Sequence, residues 1–127
     1  MFSMKAVLMV AAGSALGGVA RYGLQMLVYK LYPGPFPLGT FLVNLIGCFL
    51  IGWFFSLAER AGAINQETKL FLITGFCGGF TTFSTYSVDA LSLLRAGRTG
   101  YFFLYVTGSV ALGMLMTYLG MQVIKPA

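Results

Sequence analysis

Charged residues and prolines gather mainly at three joints of this 127-residue chain, and the four stretches between them are apolar. Each stretch is about as long as a bilayer is thick, since roughly 20 apolar residues in a helix cross the hydrocarbon layer. The first runs from about Ala6 to Tyr32. Pro33-Gly34-Pro35-Phe36-Pro37 ends it, because prolines remove backbone donors and cannot continue a helix. A second stretch extends from Gly39 to Ala58, closed by Glu59-Arg60. Ala61 to Gln66 connects it to a third, about Glu67 to Leu94, and Arg95 to Arg98 separate that from a fourth, Tyr101 to Ile124, before Lys125-Pro126. With 58% apolar and 9% charged residues, the expected fold is all-α: residues 1–127 as a single four-helix membrane domain. Lys5 and the apolar Ala6 to Ala20 resemble a signal peptide, but the apolar character resumes past Arg21 and three more spans follow. The first stretch is therefore read as a retained span. No internal repeat or linker divides the chain, so any symmetry must come from another copy.

Charge placement bears on that symmetry. With four crossings, Lys5, Arg60, Lys69 and Lys125 fall on one side, and Arg21, Lys30, Arg95 and Arg98 fall on the other. Orientation normally follows an excess of Lys and Arg on the cytoplasmic side, and four against four is no excess. Insertion in both orientations fits this balance, and two oppositely oriented copies would form an antiparallel dimer with inverted symmetry. A single topology fixed by other features is the alternative.

The missing chemistry narrows the function. The chain has no histidine, only three acidic residues (Glu59, Glu67 and Asp89), and two cysteines, Cys48 and Cys77, in separate apolar stretches. That excludes a His-based catalytic set and a zinc cage from one chain, so no enzyme and no catalytic residue is expected. The two thiols read as small apolar packing residues rather than a disulfide. No nucleic-acid partner is expected; the surrounding partner is the lipid bilayer.

Among the 17 glycines, Gly13, Gly17, Gly18, Gly47, Gly52, Gly108 and Gly113 read as sites of close helix approach. Gly75, Gly78 and Gly79 stand apart, because Thr81, Thr82, Ser84, Thr85 and Ser87 follow at once and place hydroxyls beside backbone that glycine frees from helical geometry. The third helix is therefore expected to break near the membrane centre. Backbone left unpaired at that depth is tolerated only where protein or a water-filled cavity receives it, which points to an ion pathway. Carbonyls ending the first half suit a cation, and amides opening the second half suit an anion. Phe83 and Tyr86, three apart, share a face of the second half, where ring edges can help an anion; ordinary aromatic packing is the alternative.

Three motifs together resemble the Fluc (CrcB) family of fluoride channels: GxxxGGxxR over Gly13 to Arg21, GTFLVNLIG over Gly39 to Gly47, and GFCGGFTTFSTYS over Gly75 to Ser87. The match covers nearly the whole chain. The resemblance implies an antiparallel dual-topology homodimer in the cytoplasmic (inner) membrane, with two pores carrying fluoride out passively and conferring fluoride resistance. It implies a structural sodium ion held by backbone carbonyls of Gly78 and Thr81. It maps the fluoride route onto Asn44, Phe83, Ser84, Thr85, Tyr86, Tyr105, Ser109 and Thr117, with Arg21 at an aqueous vestibule.

Fluoride is small, strongly hydrated and a strong hydrogen-bond acceptor, so its route needs donors that replace water without trapping it. An asparagine amide and a run of hydroxyls meet that need, and Arg21 would concentrate anions at the mouth. Interfacial snorkelling is the other reading of Arg21. The sequence departs from the family pattern at Tyr86, usually a second phenylalanine, and at Asp89, usually Glu. A subunit of a heterodimeric fluoride channel would account for Tyr86, but such subunits should carry opposite charge biases. A small dual-topology exchanger needs a carboxylate in the first span, and Ala6 to Leu31 has none.

Overall fold

A computed structural model of the chain describes residues 3–60 and 62–124. The Lys125-Pro126 end, and with it one cation of the charge balance, lies outside the described residues. Helix α1 is Met4–Leu31 and α2 is Leu38–Glu59. Gln66–Lys69, Leu70–Cys77 and Gly78–Phe80 run on from one another as α3, with the wider π winding over Leu70–Cys77. Helix α4 is Phe83–Arg95 and α5 is Thr99–Met121.

Local chemistry sets these ends. Ser3 Oγ accepts from the Ala6 amide at 3.1 Å and Asn65 Oδ1 from the Thr68 amide at 2.8 Å, which satisfies orphan donors at the starts of α1 and α3. The turn after α4 is a Schellman motif: the Gly97 amide donates to the Leu94 carbonyl at 3.1 Å and the Arg98 amide to the Leu93 carbonyl at 2.9 Å. Gly97 has φ +77°, the left-handed conformation that this turn requires and glycine adopts without a Cβ penalty.

Helices α1, α2 and α5 are each long and apolar enough to cross a membrane. The α3 and α4 rods taken together fit a fourth pass. Lys5 Nζ lies 3.9 Å from Glu67 at one end, while Asp89, Ser92 and Arg98 share a small cleft with Pro35 and Pro37 at the other. At the first end Ser56 Oγ also donates to the Met121 carbonyl at 3.1 Å, so α1 runs parallel to α3, and α2 parallel to α5.

Glycines make both parallel pairs close. A Cβ on Gly13 would strike the Phe71 carbonyl, and one on Gly17 the Phe76 carbonyl; Gly52 abuts the Thr117 carbonyl and Gly120 the Phe49 carbonyl. Lipid is as apolar as leucine, so such van der Waals contact, rather than apolar burial, holds membrane helices together. Gly75 and Gly79 belong to the same seam. Gly75 faces the backbone of Gly13, and a Cβ on Gly79 would lie 2.6 Å from the Ser14 carbonyl oxygen. That corrects the expectation that these glycines free the backbone from helical geometry. Helical winding runs through Gly75, Gly78 and Gly79, and only Gly78 faces open space. Winding stops at Phe80 and restarts at Phe83, with Thr81 and Thr82 extended between them.

Candidate functional site

Two consecutive extended residues between helices leave amides and carbonyls without helical partners, and each has to be met locally. Asn44 on α2 meets both groups of Thr82. Its Oδ1 accepts from the Thr82 amide at 2.9 Å and its Nδ2 donates to the Thr82 carbonyl at 3.1 Å, as a neighbouring strand would. One Nδ2 hydrogen remains for another acceptor. The Thr82 hydroxyl in turn accepts from the Thr85 amide at 3.2 Å and caps α4. The amides of Thr82 and Thr85, which a continuous helix would direct at the Gly78 and Thr81 carbonyls, are thus both diverted.

Arg21 reaches the same place from α1. Its Nε donates to the Gly79 carbonyl at 3.0 Å, setting a half-buried guanidinium against the negative end of α3. Thr81 closes back on its own helix, its amide and hydroxyl both donating to the Cys77 carbonyl at 3.0 and 2.9 Å. Its side chain fills the space beside Gly47, where any Cβ would collide with its methyl group.

Beside this junction lies a cavity of about 450 Å³. Of the residues mapped from sequence, Asn44, Gly78, Thr81, Phe83, Tyr86 and Ser109 line it; Arg21, Ser84, Thr85, Tyr105 and Thr117 do not. Ser84 Oγ is 3.5 Å from the Thr82 hydroxyl. Thr117 donates to the Gly113 carbonyl of its own helix at 3.0 Å. Thr82, which sequence reasoning left without a role, proves to be the hub of the junction. A Thr three residues before Thr85 carries an N-cap signal that identifies it.

The rings are arranged unequally. Phe83 is 78% exposed, whereas Tyr86 is half-buried and its hydroxyl is directed at the Val106 carbonyl, 3.4 Å away. The Phe83 and Tyr86 centroids are 5.6 Å apart, and Tyr86 is 5.1 Å from the ring of Tyr105. Tyr105 is fully buried among Phe36, Phe41 and Tyr86. The Ser109 hydroxyl is buried with no hydrogen-bond partner among the described residues, and the buried Tyr105 hydroxyl faces Thr40 and Asp89. Tyr105 and Ser109 lie one turn apart on α5. Buried polar atoms are nearly always paired, so an unpartnered hydroxyl at a cavity, as at Ser109, asks for water or an ion.

Residues 8–121 match the family model described as CrcB-like protein, Camphor Resistance (CrcB). Three relatives, each named Fluoride-specific ion channel FluC, align along almost the entire chain. That of Phocaeicola vulgatus is 47% identical over 92% of this chain and 96% of its own length. That of Chlorobium phaeobacteroides strain BS1 is 48% identical over 94% and 93%, and that of Flavobacterium psychrophilum is 41% identical over 96% and 98%.

Proposed function

The chain belongs to the CrcB family, and we propose that it is, like the relatives named above, a fluoride-specific ion channel. It is a channel and not an enzyme, a multi-pass protein of the cell membrane that lets fluoride leave passively. The observation that carries this reading is the buried Ser109 hydroxyl, which lacks a partner among the described residues and lies at the cavity beside Asn44. Fluoride accepts hydrogen bonds strongly, and the Ser109 hydroxyl has no acceptor among the described residues. The route follows Asn44 and Phe83, passes Tyr86 to Ser109 and Tyr105, and continues along the hydroxyl track toward Thr117. Ser84 and Thr85 flank its start at the positive end of α4.

The functional unit is an antiparallel dual-topology homodimer with two pores, and the Thr81-Thr82 interruption lies near the bilayer centre. The diverted Gly78 and Thr81 carbonyls support a structural sodium ion there, because backbone oxygen is the donor type that hard cations prefer. One chain supplies too few such oxygens, and a second copy would complete the set. Arg21 on the adjacent Gly79 carbonyl holds that end of the helix in place.

Purified protein in liposomes, with fluoride and chloride efflux followed by ion-selective electrodes, tests the reading. Rapid fluoride loss with chloride retained is expected. Vesicles that contain assembled dimer yet retain their fluoride would overturn it.

A further inference from the structure

Cys48 and Cys77 sit in different helices, but the fold brings them to one level of one cavity. Helices α2 and α3 run antiparallel, and two contacts fix their register: Asn44 with the Thr82 backbone at 2.9 and 3.1 Å, and Gly47 with the Thr81 side chain. One residue beyond Gly47 on α2 comes Cys48, and one turn back from Thr81 on α3 comes Cys77. Both line the 450 Å³ cavity, with Gly78 and Thr74 beside them. Neither forms a disulfide. Cys77 is 3% exposed, so a reagent reaches it only through that cavity.

We propose that Cys48 and Cys77 form a shared site for a soft, thiophilic cation of low coordination number, with Hg²⁺ as the probe, and that filling it blocks the cavity. The chemistry is simple. Thiolate sulfur is the protein ligand that soft metals select, and ions of this kind need only two sulfurs, the number that this cavity's lining supplies. Binding replaces both S–H bonds with S–metal bonds and releases two protons to solvent, with no change in oxidation state. The apolar wall supplied by Ile51 and Ile73 offers no competing hard ligand and keeps water from stripping the ion. A bound ion then occupies the space beside Asn44 and Ser109. The blocking step rests on the channel reading above; the binding step does not.

The test titrates the purified full chain with mercuric nitrate, following thiolate–metal absorbance and the count of thiols still open to a disulfide reagent. The same additions are then made during fluoride efflux from liposomes. One Hg²⁺ per chain with both thiols protected is expected, together with loss of flux that excess dithiothreitol restores. Cys48→Ser and Cys77→Ser should each abolish the two-thiol absorbance, and the double variant should bind none and conduct through the additions. Two ions per chain, one on each thiol independently, would overturn the shared site, as would binding that survives in the double variant. Binding at both thiols with fluoride efflux unchanged would remove the site from the ion route while leaving the metal chemistry intact. Cys77→Ala provides the same loss of sulfur should the serine at that buried position fail to fold.

Discussion

Replacing Asn44 by alanine removes, in one step, both hydrogen bonds that satisfy Thr82. The Thr82 amide and carbonyl are backbone groups in an apolar surrounding, and each costs about 1–3 kcal/mol when left without a partner. The two together set a range of about 2–6 kcal/mol, and the lower half is expected because the adjoining cavity admits water to one side of the junction. For a chain of this length, about 3–6 °C in melting temperature corresponds to each kcal/mol, so Asn44→Ala should melt at least 6 °C below the parent. The assay is thermal unfolding in detergent followed by Trp53 fluorescence, paired with fluoride efflux from liposomes. Asn44→Asp separates clamp from ion donor, since a carboxylate oxygen still accepts from the Thr82 amide but can donate nothing to an anion. It should recover part of the stability and none of the flux. An alanine variant that melts with the parent would refute the clamp.

Three other perturbations address separate parts of the molecule. Gly17→Ala drives a methyl into the Phe76 carbonyl, a backbone atom that cannot swing aside, so α1 must move off α3 at a cost of about 1–3 kcal/mol, read as a lower melting temperature. Arg21→Gln loses the charged donor to the Gly79 carbonyl and should cost about 1.5–3 kcal/mol; unchanged melting with flux reduced only at low ionic strength would instead make Arg21 purely an anion collector. Two lysines added to one terminus should bias insertion to one orientation and lower homodimer activity, scored by cysteine accessibility from each side of the membrane together with efflux; undiminished activity in a fully oriented population would argue against dual topology.

The helical stretches and the three long apolar spans among them were legible because their signals are local. Prolines 33, 35 and 37, the Gly97 turn and charged joints act within a few residues, and the helix bounds fall near the expected ones. The exact point of interruption was not legible. Glycine lowers helix propensity, so Gly75, Gly78 and Gly79 drew attention, yet in a membrane a small residue gains close packing, and that gain outweighs the local preference. Winding stops instead at Thr81 and Thr82, because a partner 38 residues away, Asn44, supplies the hydrogen bonds that an extended backbone needs. No periodicity or motif spacing encodes that pairing. The same holds for Cys48 and Cys77, which read as unrelated packing residues until the register of α2 against α3 is known.

The junction divides its polar groups by where their partners lie. Thr82 is satisfied by Asn44, the Gly79 carbonyl by Arg21, and the Thr85 amide by the Thr82 hydroxyl, so these groups are closed within the chain. What stays open is of two kinds. Gly78 and Thr81 present carbonyl oxygens whose helical donors have been diverted, and Ser109 presents a hydroxyl without an acceptor among the described residues. Acceptors therefore collect at the end of α3 and a donor on α5, with the cavity and the Tyr86 ring between them. One subunit could then contribute oxygens toward a cation and donors toward an anion without offering the same atoms to both. That separation follows from placing the interruption at two threonines: a continuous helix would return the Thr82 and Thr85 amides to the Gly78 and Thr81 carbonyls and leave neither oxygen open.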